Sequence, residues 1–149
     1  MCNDTFAALP HISVAPCVHK DSSKMVNGIH HINFIVRDLD AGVARFERLL
    51  GRTVDRRDTL DARGVLTARF RLGEVWLVIV QPTREGTEPA RFLATHGEGF
   101  FLLSFAVDSL DDVEGIGPVR RGLDDWQVAD FDPADTYGVL CQVTQTGGT

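Results

Sequence analysis

One phrase in this chain is written twice, and that repetition constrains the fold more than any other feature. Residues 28–40 read GIHHINFIVRDLD, and residues 99–111 read GFFLLSFAVDSLD. Sliding the first onto the second pairs Gly28 with Gly99, Phe34 with Phe105, Val36 with Val107, Leu39 with Leu110 and Asp40 with Asp111. In the first copy a β-rich run over 29–36 leads to Asp38, which can cap a helix carrying Val43, Phe46, Leu49 and Leu50 on one face. That helix stops at Gly51. Three strands are expected next, over 53–60, 65–72 and 74–81, with a turn at Gly73 and an end at Pro82. A connector follows, with a short helix over 89–96. The second copy then leads to a stunted helix over 110–116 and strands near Val119, over 126–129 and over 138–145. The element order βαβββ therefore occurs twice, which makes an internal duplication the best reading.

The chain has 149 residues, 44% of them hydrophobic, enough for one sizeable core or two small modules side by side. Its net charge of −6 and scattered Lys and Arg give no basic stripe for a nucleic acid or an anionic membrane. No apolar run approaches the roughly 20 residues of a membrane span. Residues 1–27 lack helical or strand periodicity and read as a tail. Asp4, Pro10 and Pro16 do not suit a signal peptide. Met25 stands directly before the first patterned segment, so a translational start there is an expectation that the native intact mass tests. Three cysteines, Cys2, Cys17 and Cys141, argue for a reducing cytoplasm over a disulfide framework.

Five phrases, in order, carry a family resemblance: HHINFIVRDLD with FERLLG after it, VIVQP, ARFLATHGEGF and DPADTYGVLCQV. The chain resembles the vicinal oxygen chelate superfamily, the fold of glyoxalase I, methylmalonyl-CoA epimerase, extradiol dioxygenases and bleomycin-resistance proteins. Its connector and GEG turn look most like the epimerase branch. The resemblance implies an α+β fold in which two tandem βαβββ modules form a curved mixed sheet with a central cleft. The expected domain is 28–147: module one over 28–82, a connector over 83–98, and module two over 99–147. It also implies a homodimer, with a partner covering apolar surface beside the short second helix.

In that superfamily four cleft-facing strand positions typically hold a divalent metal. Here they carry His31, Val78, Leu102 and Gln142. Two are aliphatic and neither survivor is a carboxylate, so no metal site and no cofactor are expected, other ligands such as His30 or Asp58 being the alternative.

Strand alternation predicts the cleft lining. The first strand contributes Ile29, His31, Asn33 and Ile35, and the fourth Trp76, Val78 and Val80. The fifth contributes Phe100, Leu102 and Ser104, and the last Leu140, Gln142 and Thr144. This is a mostly apolar small-molecule site with a few polar groups. His31 reads as a general acid or base, as a ligand-orienting group, or as a satisfied core histidine. Gln142 and Asn33 would orient the substrate and stabilise an oxyanion. His30 should point away from the cleft. Trp76 and Phe100 suit either a planar ligand or core packing.

Other charged groups have blander readings. Asp58 lies near where epimerases place a carboxylate base. Arg56, Arg57 and Arg63 could meet an anion, but such a run is more often a solvated strand edge. The pairs Asp111–Asp112 and Asp124–Asp125 lack calcium-loop spacing. Cys141 alternates away from the cleft.

Three functions remain open. The first is a metal-independent isomerase or lyase acting next to the carbonyl of a small acid or thioester. The second is a non-enzymatic protein that sequesters a hydrophobic compound. The third is a glyoxalase- or epimerase-like metalloenzyme with atypical ligands.

Overall fold

The structure, a computed structural model, describes residues 26–145. Most of the expected tail, with Met25, Cys2 and Cys17, lies outside the described residues. The elements in chain order are β1 (Val26–Ile35), α1 (Leu39–Leu50), β2 (Arg56–Leu60), β3 (Val65–Leu72), β4 (Val75–Pro82) and α2 (Glu88–His96). Then come β5 (Gly99–Val107), a 3₁₀ turn at Leu110–Asp112, β6 (Arg120–Arg121) and a 3₁₀ turn at Leu123–Asp125. The chain continues through β7 (Gln127–Asp130), a 3₁₀ turn at Pro133–Thr136 and β8 (Cys141–Gln145).

All eight strands form one sheet in the order β2-β3-β4-β1-β5-β8-β7-β6. Within each module the first strand runs parallel to the last: β1 beside β4, and β5 beside β8. The modules join where β1 and β5 pair antiparallel. The duplicated phrases therefore lie against each other at the centre of the sheet.

Local chemistry sets these elements. The Asp38 carboxylate accepts the N–H groups of Asp40 and Ala41 at 3.0 and 3.3 Å, capping α1, and Gly51 closes it at φ 69°. Leu39, Val43, Phe46 and Leu50 face Ala68, Phe70, Leu77 and Ile79 of β3 and β4. Leu49, expected on that stripe, falls at its edge and is 68% exposed. The expected helix over 110–116 shortens to the turn Leu110–Asp112. Gly115 at φ 77° and Pro118 make a continuing helix costly there. The last strand starts at Cys141, later than expected, because Tyr137 and Gly138 both have left-handed backbone, φ 59° and 82°.

Side-chain alternation then divides the sheet. Leu66, Ala68, Phe70 and Leu72 of β3 go to the α1 side, leaving Val65, Thr67 and Arg69 on the cleft side. The cleft core gathers Ile35, Val65, Val78, Val80, Phe101, Leu102, Leu123, Trp126 and Val128. Behind module two, Val107, Leu110, Ala129 and Val143 form a smaller core.

Two of the three irregularities in the β1–β5 ladder redirect side chains at the cleft. Ile29 pairs with Phe105 and His31 with Ser104, so His30 is an extra residue on β1. Asn33 pairs with Leu102 and Phe34 with Phe100, so Phe101 is an extra residue on β5. At each such bulge two neighbours face one partner, and the strict alternation of sides fails.

Candidate functional site

The cleft encloses a cavity of about 60 Å³. Its floor is β1 and β8, through His31, Asn33 and Gln142. Its walls are Val65 and Thr67 of β3, Val78 and Val80 of β4, and Phe101 and Leu102 of β5. Leu123, Trp126 and Val128 cover it from module two, and Arg63 and Arg121 lie in its rim. A second hollow of about 130 Å³ shares Arg63, Leu102 and Gln142 with it and adds Leu140 and Cys141.

Five of the expected site residues, His31, Asn33, Val78, Leu102 and Gln142, line the cavity together. Four stand elsewhere. Phe100 is 45% exposed and meets Phe34 edge-on, because the bulge turns Phe101 inward in its place. Ser104 is fully buried against the Thr144 hydroxyl at 2.5 Å. Leu140 lines the second hollow, and Trp76 packs at the edge of the cleft core beside Arg69.

His30 does not point away from the cleft. The bulge brings it to the same side as His31, and their Nδ1 atoms are 2.9 Å apart, so one ring donates to the other. Its ring meets Trp126 edge-on at 4.5 Å, while His31 stacks on the same indole at 5.2 Å. Burial is the main force lowering both imidazole pKa values. His31 falls to about 3, with His30 and Arg69 adding to the drop and hydrogen bonding to Gln142 opposing it. His30 falls to about 4, with Arg71 and Arg69 contributing. Both rings are neutral near pH 7.

The four positions at which the resemblance would place a metal carry few side-chain donors. Val78 and Leu102 carry no donor atom, and His31 and Gln142 supply two neutral donors. Among the described residues no cluster of three or more His, Cys, Asp or Glu side chains is placed to hold an ion.

Beside the cavity lies a group that the sequence reading missed. Arg69 is 1% exposed, with its guanidinium carbon 4.6 Å from the Trp76 ring centre and 5.0 Å from that of Trp126. Its Nη2 is 3.7 Å from Asp58 and 3.5 Å from Asp124. Arg56 joins the same two carboxylates, at 3.4 and 3.8 Å. Asp58 thus lies beside two guanidinium groups and is not part of the cavity lining. A signal for Arg69 was available: the apolar alternation Leu66, Ala68, Phe70, Leu72 places it opposite α1. Trp126, expected as the first residue of a strand over 126–129, stands just before β7 and lines the cavity together with Val128.

Paired βαβββ modules around one shared cleft are the architecture of the glyoxalase-like proteins. The sequence matches the Glyoxalase/Bleomycin resistance protein/Dioxygenase superfamily over residues 30–114, more than half its length, and the chain belongs to that superfamily. Methylmalonyl-CoA epimerase from Mycobacterium tuberculosis has a similar structure, with a TM-score of 0.78 at 23% identity, covering 87% of this chain and 95% of that one. A variant of the Streptomyces coelicolor methylmalonyl-CoA epimerase in complex with 2-nitronate-propionyl-CoA gives 0.77 at 26% identity, covering 83% and 100%. The uncharacterised protein YqjC of Bacillus subtilis is 24% identical over 133 residues, covering 83% of this chain and 95% of YqjC.

Proposed function

We propose that the chain is a small-molecule-binding member of the superfamily that encloses a mostly apolar ligand in its cleft without metal ligation or proton transfer. The observation that carries this reading is the cavity itself. Aliphatic and aromatic side chains dominate it, two of the four metal positions are Val78 and Leu102, and its one imidazole has a pKa near 3. A base that weak removes a carbon-bound proton poorly at neutral pH, where catalysis favours a pKa near the working pH. His31, Asn33 and Gln142 then serve to orient a polar group on the ligand. The Asn33 Oδ1 atom, buried without a hydrogen-bond partner, can accept from it.

A second reading, an isomerase or lyase acting beside a carbonyl, is supported by the likeness to an epimerase holding an acyl-CoA analogue. Solvent-deuterium exchange into methylmalonyl-CoA and related thioesters separates the two. Binding alone leaves the α-proton in place. Exchange that depends on the protein and disappears in His31→Ala would establish the enzyme instead.

A further inference from the structure

We propose that Arg69 is the receptor for a carboxylate carried by a small apolar ligand, and that Asp124 is the internal carboxylate a ligand replaces there. The inference rests on the cavity-binding reading above and names the ligand class for the same cleft.

The guanidinium is buried but under-satisfied. Its closest approach to both carboxylates is through Nη2, and those 3.5 and 3.7 Å separations exceed the roughly 2.7–2.9 Å of a charge-assisted hydrogen bond. Nε and Nη1 are buried with no hydrogen-bond partner, and so is Asp58 Oδ2. Buried polar groups are nearly always hydrogen-bonded, and a buried cation most of all, so two idle donors on one guanidinium call for a partner. Trp76 and Trp126 hold the planar fork between them. That geometry fixes the directions of its N–H bonds and favours a planar anion lying in the same plane.

Arg69 is also next to the cavity, not remote from it. It pairs with Val78 across the β3–β4 ladder and follows Thr67 by one alternation on the same face, and both line the cavity. Trp126 lines the cavity as well and lies over the guanidinium, so this one indole is the partition between them. Moving it joins a space of about 60 Å³ to the idle donors of Arg69.

The partition and the internal carboxylate travel together. Asp124 and Trp126 belong to one short segment, 122–126, closed by hydrogen bonds from Gly122 N–H to Trp126 O and from Trp126 N–H to Leu123 O. Asp124 and Asp125 have φ of 53° and 61°, left-handed backbone that is uncommon outside glycine and persists where surrounding contacts enforce it. Beside the two backbone hydrogen bonds, the contacts on these residues are the ion pairs of Asp124 with Arg69 and Arg56, and of Asp125 with Arg121. A ligand carboxylate that takes the place of Asp124 on Arg69 releases the segment and shifts Trp126, opening room for its own apolar body against Leu60, Val78 and Leu102.

The test uses the chain's own fluorescence, since its two tryptophans are the two that sandwich Arg69. Butyrate and benzoate are titrated against their methyl esters. The acids should give a saturable change at concentrations about tenfold or more below the esters. Asp124→Asn should bind the acids several-fold more tightly, and Arg69→Gln should abolish the preference for acid over ester. Equal binding of acid and ester to the wild type overturns the carboxylate inference while leaving the cavity-binding reading intact. Binding of neither overturns both. Should Arg69→Gln fail to fold, Asp124→Asn decides: unchanged or weaker acid binding contradicts the role given to Asp124 and Arg69.

Discussion

The indole of Trp126 lies on the imidazole of His31, with ring centres 5.2 Å apart and planes within 19° of parallel. One aromatic side chain from the second module thus seals the first module's histidine from solvent. The same indole contacts His30 and Arg69 and roofs the cavity, so it joins the two halves of the site.

Replacing that roof should be costly. Trp126→Ala removes a side chain that is 6% exposed in the cleft core, and is expected to destabilise the fold by about 3–5 kcal/mol. Urea denaturation at neutral pH measures it. A loss under about 0.5 kcal/mol, the ordinary size of a surface substitution's effect, would show that the indole does not pack as described.

Stability should also fall in mild acid through the histidine pair. Their pKa values in the folded chain are about 4 for His30 and about 3 for His31, both below the ordinary 6.5. Below pH 6.5 the unfolded chain therefore takes up protons that the folded chain does not. Stability from this source is complete above that pH and is lost progressively as the pH falls, until it is gone below about 4 for His30 and about 3 for His31. The slope is on the order of 1.4 kcal/mol per pH unit for each histidine. Denaturation of wild type and a His30→Gln/His31→Gln double variant at pH 7, 6 and 5 isolates the effect from the carboxylates. The variant's slope should be shallower, and superimposable slopes would contradict the assignment.

The bulge on β5 makes a prediction about two adjacent phenylalanines. Phe101 is 3% exposed in the cleft core, whereas Phe100 is 45% exposed. Phe101→Ala should cost about 3–5 kcal/mol and Phe100→Ala well under half of that. Thermal or chemical denaturation of the two variants checks the order. The reverse order would restore the simple alternation that the ladder irregularity replaces.

These bulges also mark where sequence reasoning stopped. The duplicated phrase, the capping Asp38 and the terminating Gly51 made the βαβββ repeat legible, because each is a local signal with a local cause. Period-two alternation pointed His31, Asn33, Val78, Leu102 and Gln142 at the cleft, and all five line the cavity. It failed at His30 and Phe100, where an extra residue in one strand shifts the phase and leaves no mark in composition. Trp126 and Asp124 escaped for a different reason. Asp124 comes from an irregular turn, and Trp126 ends that turn where a strand was expected to start; only tertiary folding brings the segment over the cleft.

Module two is thinly covered on its outer face. The three-residue turn Leu110–Asp112 stands where module one has the twelve-residue α1, leaving Phe105, Ile116 and Phe131 only partly buried. The expected homodimer would cover apolar surface there. Sedimentation of the full chain at micromolar concentration should report twice the chain mass, and a monomer at that concentration counts against it.

The proposed binding mode fills this cleft with an organic ligand and no metal ion. Elemental analysis of the native protein, purified without chelators, tests it most directly. Divalent metal should be far below one ion per chain and unchanged in His31→Ala. One ion per chain, lost on that substitution, would show that the cleft is a metal site.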